Sequence, residues 1–211
     1  MKQIKIFDDF LEKLSNEDEI PNVTNQYSVN ILRNNLRLYL NYLYKLSPKY
    51  IFIGEAPGYN GCKITGIPFT SEYILNIDFG NGIFGIKNGY KTINANNCQK
   101  EPTATIVWEL FNKYQKTVPC FWNIFPFHPH IANNKLSNRK PNQSELKIGI
   151  KYLEELIRLL NINKKNIIPI GNVAYDIIKK YNKHCIKIRH PANGGKNKYI
   201  ANLIDSGLMI E

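Results

Sequence analysis

The sequence predicts an α/β protein: a three-layer α/β/α sandwich built on a short parallel sheet of four strands. Two observations carry this. Four short apolar runs, YIFIG (50–54), VPCFWNIF (118–125), NIIPIG (166–171) and CIKI (185–188), are continuous rather than alternating, as expected of strands buried on both faces. Helical patterns fill the gaps between them, and strands alternating with helices build a parallel sheet covered on both sides.

The helices follow in order. Residues 4–14 place Ile4, Phe7, Leu11 and Leu14 at helical spacing, and a polar stretch from Ser15 to Asn25, containing Pro21, ends that segment. Residues 27–46 carry Ile31, Leu32, Leu36, Tyr39, Leu40, Leu43 and Leu46 on one face and stop before Pro48. Further helices are expected at about 103–116 (Ile106, Leu110, Phe111, Tyr114), at 143–160 (Leu146, Ile150, Leu153, Leu156, Ile157, Leu160), at 172–181 and at 196–206. Segments 76–97 and 131–142, rich in Gly and Asn, are too long for plain connectors and are therefore functional suspects. Without repeats or a dividing linker, residues 1–211 are expected to form one domain, with 1–46 a helical segment packed on it.

Composition excludes several classes. With 43% hydrophobic and 12% aromatic residues the chain can bury a sizeable core and is not disordered. No window approaches eighteen consecutive apolar residues, and the charged N-terminus has no h-region, so neither a membrane span nor a secretory signal is expected. Four cysteines in 211 residues do not make a disulfide scaffold, which points to an intracellular, cytoplasmic home. The net charge of +11 is uneven: residues 1–129 hold 13 basic and 11 acidic groups, residues 130–211 hold 15 and 6. A C-terminal part this basic points to a polyanion, nucleic acid before membrane, although a bias toward solvated lysines explains charge alone equally well.

In a parallel α/β sheet, ligands bind at the carboxyl ends of the strands. Here those ends read Gly54-Glu55-Ala56-Pro57-Gly58, Asn123 before PFHPH, Gly171-Asn172, and Arg189-His190-Pro191. The first opens GEAPGYNGCKITGIPFTS (54–71), a tight turn that brings backbone N–H groups close to a ligand. It is neither a Walker loop nor a Rossmann fingerprint, and taken by itself it reads as an ordinary strand-to-loop turn.

Together, GEAPG, Phe69 in G-I-P-F-T-S, Asn123 closing the second strand and His190-Pro191 closing the last resemble the uracil-DNA glycosylase superfamily. The strings WNIFPFHPH, LSNRKP and RHPANGG are similar to its bacterial GEAPG-type branch, from Gly54 to about Leu208. The resemblance implies the fold of that superfamily and a monofunctional DNA glycosylase, a monomer without a cofactor. Such an enzyme hydrolyses the N-glycosidic bond of a flipped base in single- or double-stranded DNA. Phe69 would stack on the base, where otherwise it is a core phenylalanine, and Asn123 would read the base edge with an amide that both donates and accepts. His190 would face the base O2 and stabilise charge growing on the leaving group. Arg189, Asn193, Gly194, Gly195 and Lys196 would contact DNA, the loop filling the space of the flipped nucleotide. Gly54, Ala56, Pro57, Gly58 and Gly61 would line the base pocket.

The chain also departs from that pattern. The best-known uracil enzymes carry Asp where this chain has Ala56, leaving Glu55 as the nearest carboxylate to orient water or stabilise the sugar cation. Bonding backbone N–H groups of its own loop is the competing role for Glu55. The iron-containing branch has a cysteine pair, but Cys62, Cys98, Cys120 and Cys185 lie 36, 22 and 65 residues apart, so no cluster is expected. The positions that crowd the C5 edge of the base in relatives hold Gly58 and Gly61, which opens the pocket to a C5-substituted pyrimidine, as in phage DNA, or to hypoxanthine. Ala56 leaves open a DNA-binding protein without catalysis. His128 and His130 have no third metal ligand nearby and are expected in a surface loop over the pocket.

Overall fold

The computed structural model describes residues 5–77, 82–94, 98–114 and 118–208. The elements are α1 (Asp8–Ser15), β1 (Val23–Thr24), α2 (Asn30–Leu46), β2 (Ile51–Gly54), α3 (Cys62–Thr65), α4 (Glu72–Asn76), α5 (Pro102–Tyr114), β3 (Cys120–Asn123), β4 (His128–Pro129), α6 (Gln143–Leu159), β5 (Ile167–Pro169), α7 (Asn172–Tyr181) and α8 (Lys196–Asp205). Every helix expected from periodicity is present to within a few residues. Ile4, at the start of the first expected helix, lies outside the described residues, as do 115–117 and parts of 76–97. The short helices α3 and α4 have no period long enough to be read from sequence.

A parallel sheet runs in the order β3-β2-β5, with Ile51 opposite Cys120 and Ile167, and with Gly54 opposite Asn123. Ile51, Phe52 and Ile53 are all essentially inaccessible to solvent. Successive residues of a strand point to opposite faces, so both faces are covered and the α/β sandwich follows. The expected fourth strand is a correction. CIKI contributes one parallel bridge, Ile170 to Ile188, built from Ile188 N–H to the Pro169 carbonyl at 3.1 Å and Gly171 N–H to the Ile188 carbonyl at 2.8 Å. Upstream of Ile188 the run stays near water, with Ile186 43% exposed beside exposed Lys183 and Lys187 and Cys185 only partly buried against the core.

The core is strongly aromatic. Phe121 of β3 packs against Phe52, Trp108, Phe111 and Phe69, with ring centroids 5.1–5.6 Å apart. From the N-terminal segment, Phe10 reaches Trp122 of β3 and Tyr152 of α6. Helix α6 crosses the end of β3 so closely that a Cβ on Gly149 would lie 1.9 Å from the Ile124 carbonyl oxygen.

A second correction concerns His128 and His130. Both are buried, because β4 pairs antiparallel with β1 in a two-stranded ribbon and does not loop over the pocket. The His128 Nδ1 donates to the Pro57 carbonyl at 2.7 Å and Nε2 stands 3.3 Å from the Lys135 carbonyl, so the ring ties the ribbon to the turn after β2; burial lowers its pKa against those two hydrogen bonds. Among the described residues no group of three His, Cys, Asp or Glu side chains could hold a metal, and no helix is long and apolar enough to cross a membrane.

Candidate active site

The carboxyl ends of β2 and β3, the Ile188 bridge and the first turn of α5 enclose a cleft of about 440 Å³. Gly54, Glu55, Ala56, Pro57, Gly58, Gly61, Phe69, Asn123 and His190, brought from four separate stretches of chain, line it. Arg189, Asn193, Gly194, Gly195 and Lys196 do not; they form the turn behind His190 and the start of α8.

The turn after β2 is fixed by its backbone. The Gly54 carbonyl accepts Ile124 N–H at 2.9 Å, the Glu55 carbonyl accepts Phe125 N–H at 3.1 Å, and Tyr59 N–H donates to the Asn138 side chain at 3.1 Å. Glu55 is therefore not needed to bond the loop. Its half-buried carboxylate has no hydrogen-bond or ion-pair partner among the described residues, and burial raises its pKa against the opposing charge of Lys140.

Phe69 adopts φ 56°, a left-handed conformation that costs a bulky side chain on the order of 1 kcal/mol or more. Trp108 Nε1–H holds the strained peptide by donating to the Phe69 carbonyl at 2.9 Å, and the ring leans on Phe121 at 5.3 Å. An off-minimum residue clamped in this way at a cleft wall belongs to function more often than to the core. Asn123 is only 4% exposed, yet its amide has no partner among the described residues. A buried amide at a cleft wall without a partner has both its donor and its acceptor free toward the cleft.

The tautomer of His190 follows from one contact. Ala192 N–H donates to its Nδ1 at 3.2 Å, so that nitrogen carries the lone pair and Nε2 carries the proton. Burial lowers the pKa, the charge of Glu101 opposes, and Arg189 adds to the lowering; the ring is a neutral Nε2–H donor. Gly195 makes this turn possible, since a Cβ there would stand 2.0 Å from the His190 carbonyl oxygen, to which Arg189 Nη1 donates at 2.9 Å. Lys196 is exposed, 3.8 Å from Glu109.

Glu101, Asn138 and Arg139 are among the lining residues that escaped the sequence reading. Glu101 accepts Thr103 N–H at 3.0 Å and Ala104 N–H at 2.5 Å, capping α5 from inside the cleft. An acidic residue before Pro102 was the available signal, because acidic side chains cap helices that begin with proline. Asn138 and Arg139 come from the LSNRKP string of the suspect segment 131–142. Arg139 is a clamp: it pairs bidentately with buried Glu145 at 2.7 and 2.8 Å and donates to the carbonyls of His130, Lys140 and Asn22.

A family model described as the uracil DNA glycosylase superfamily matches residues 42–203. The crystal structure of wild-type Pedobacter heparinus SMUG2 superposes with a TM-score of 0.69 at 15% identity, over 96% of this chain and 97% of that one, which establishes the shared fold. A search of curated protein sequences finds no match. With well over half of its length matched by the family model, and the cleft at the strand ends where the motifs stand, the chain belongs to the uracil DNA glycosylase superfamily.

Proposed function

We propose that the protein is a monofunctional DNA glycosylase that releases a flipped base by hydrolysis and leaves an abasic site, with uracil the default substrate. The carrying observation is that three groups without a partner among the described residues, the Asn123 amide, the His190 Nε2–H and the Glu55 carboxylate, converge on one cleft beside the Phe69 ring. The base stacks on Phe69, and Asn123 pairs with its edge. As the bond between C1′ and the base nitrogen breaks, its electron pair leaves with the base. His190 donates to the base oxygen on which the charge collects; as a fixed neutral donor it reorganises little. Glu55 accepts a proton from the water that bonds to C1′, and the sugar gains a hydroxyl. Arg189, Asn193, Gly194, Gly195 and Lys196 approach the phosphates, DNA being the partner implied by the family.

A second reading, excision of a base substituted at C5, is favoured by Gly58, where a Cβ would meet no atom within 4 Å. Alkali cleavage of end-labelled duplexes carrying uracil, hypoxanthine or a bulky C5-modified cytosine tests both. Cleavage at uracil supports the first reading, and cleavage at the modified cytosine supports the second. Binding without any cleavage overturns both and favours a DNA-binding protein, consistent with Ala56.

A further inference from the structure

The two sides of the sheet carry opposite charge. On the β3 side, where the chain leaving β3 runs into the β1–β4 ribbon, Glu17, Asp18 and Glu19 line a groove that also reaches Lys135. On the other side, past β5 and at the Ile188 bridge, residues 172–188 hold four lysines against one acidic residue, Asp176. None of these lysines has a part in the proposed chemistry.

Tyr175 organises the basic side. It stands one turn into α7, with its N–H donating to the Gly171 carbonyl at 3.2 Å, and a Cβ on Gly171 would lie 3.5 Å from the His190 Cβ, so the ring is a close neighbour of the cleft. Lys179 Nζ lies 5.5 Å from the Tyr175 ring centroid, and Lys187 Nζ, arriving from the run before Ile188, lies 5.0 Å from it. Both lysines are exposed, and neither makes an ion pair among the described residues, with Asp176 or with any other acid. Two ammonium groups gathered over one ring are near enough to repel each other at physiological salt. A cation–π contact at an exposed site is weak and is offset by the freedom that a long side chain gives up. The arrangement therefore gains the free protein little; what it provides is a pair of cations already placed for an anion. The surface is an open edge rather than a pocket, which suits a charged chain better than a small ion, and the densest such chain within reach of the cleft is a DNA backbone. The acids on the β3 side repel the same backbone.

We propose that Tyr175, Lys179 and Lys187 form a ledge that binds the phosphate backbone of DNA leaving the cleft over the β5 side, so that the footprint on DNA is one-sided. This rests on the glycosylase reading only in that the target nucleotide occupies the cleft. Each lysine seated on a phosphate releases a counterion, and the ledge acts on affinity without touching the reacting atoms.

The test uses the full chain, a plain duplex and the same duplex with one central uracil. Binding of both is followed by fluorescence anisotropy over a range of salt. The double variant Lys179→Ala, Lys187→Ala should flatten the slope of log affinity against log salt by about two, close to one for each lost phosphate contact. Single-turnover base release at saturating DNA should be unchanged, because neither lysine lines the cleft. Hydroxyl-radical protection of the uracil duplex should reach farther on one side of the uracil, and should shorten on that side in the double variant. An unchanged slope, or protection that is equal on both sides, overturns the ledge and leaves the glycosylase reading standing. Loss of binding to phosphatidylserine vesicles with the DNA slope intact also overturns it and assigns the lysines to a membrane surface. A slope that falls by about two while wild type releases no base supports the ledge and overturns the glycosylase reading.

Discussion

Gly54 and Asn123 stand opposite each other at the ends of adjacent parallel strands, and the Asn123 Oδ1 occupies space within 2.7 Å of where a Cβ on residue 54 would be. The Phe69 ring reaches 2.8 Å from the same point. The absent side chain at 54 is therefore what lets the Asn123 amide and the Phe69 ring meet.

Gly54→Ala should displace both groups while the sheet stays intact. Single-turnover base release should fall on the order of a hundredfold or more, because misplacement by about 1 Å already costs this much. Circular dichroism and melting temperature check that the fold survives, and an unchanged rate would show that Asn123 and Phe69 do not act together.

His190→Ala removes the proposed donor. The rate should drop by on the order of a hundred- to a thousandfold, the usual loss for one such group, with DNA affinity nearly unchanged. Nitrogen-15 chemical shifts of wild type at pH 7 should show the neutral Nε2–H tautomer, because the Ala192 N–H occupies Nδ1. A protonated ring at that pH contradicts the assignment.

Burial raises the Glu55 pKa, so the carboxylate proposed to accept the water proton is lost above the ordinary glutamate range. Activity should fall as pH drops through that raised value, and Glu55→Gln should lower the rate and remove this acidic limb. A limb that persists in the Gln variant assigns it to another group.

Glycine at 58 and glycine at 61 are not equivalent. Gly58 faces open space, but a Cβ on Gly61 would press on the Thr70 carbonyl at 3.1 Å and meet Glu101 at 3.6 Å, so that side already has a wall. Gly58→Tyr should narrow the range, reducing release of C5-substituted bases while uracil persists; paired rates on the two substrates measure it. If wild type rejects every C5 substituent, the open-wall reading fails.

Burial acting alone would raise the Glu145 pKa, but the Arg139 hydrogen bonds, the Asn142 N–H and the Arg139 charge together hold it low. Arg139→Ala strands a carboxylate that is 1% exposed and should cost about 3–5 kcal/mol, a fall in melting temperature of roughly 10 °C. A carboxyl with a depressed folded pKa stabilises above its unfolded value near 4.3 and loses that contribution as pH falls through the folded value. The gap between wild type and variant in thermal melts should therefore close in acid.

Much of this was legible in the sequence, because helix and strand periods are local properties of adjacent side chains. Continuous apolar runs marked the sheet, and their order, with glycine or polar residues at each carboxyl end, marked the edge that carries the cleft. Gly54, Glu55, Asn123 and His190 stood at those ends, and Phe69 was singled out by the resemblance to the family. What only the tertiary structure decided is which distant groups meet and which polar atoms are left without partners. The last strand shrank to the Ile170–Ile188 bridge, with Ile186 and Lys187 left exposed to water. His128 became a buried strut because β4 found β1, about a hundred residues away. Glu101 entered the cleft because capping α5 turned its carboxylate inward, and Arg139 became a clamp because buried Glu145 pairs with it. Pairing across such separations depends on how the chain closes in space, and no period along the sequence encodes it.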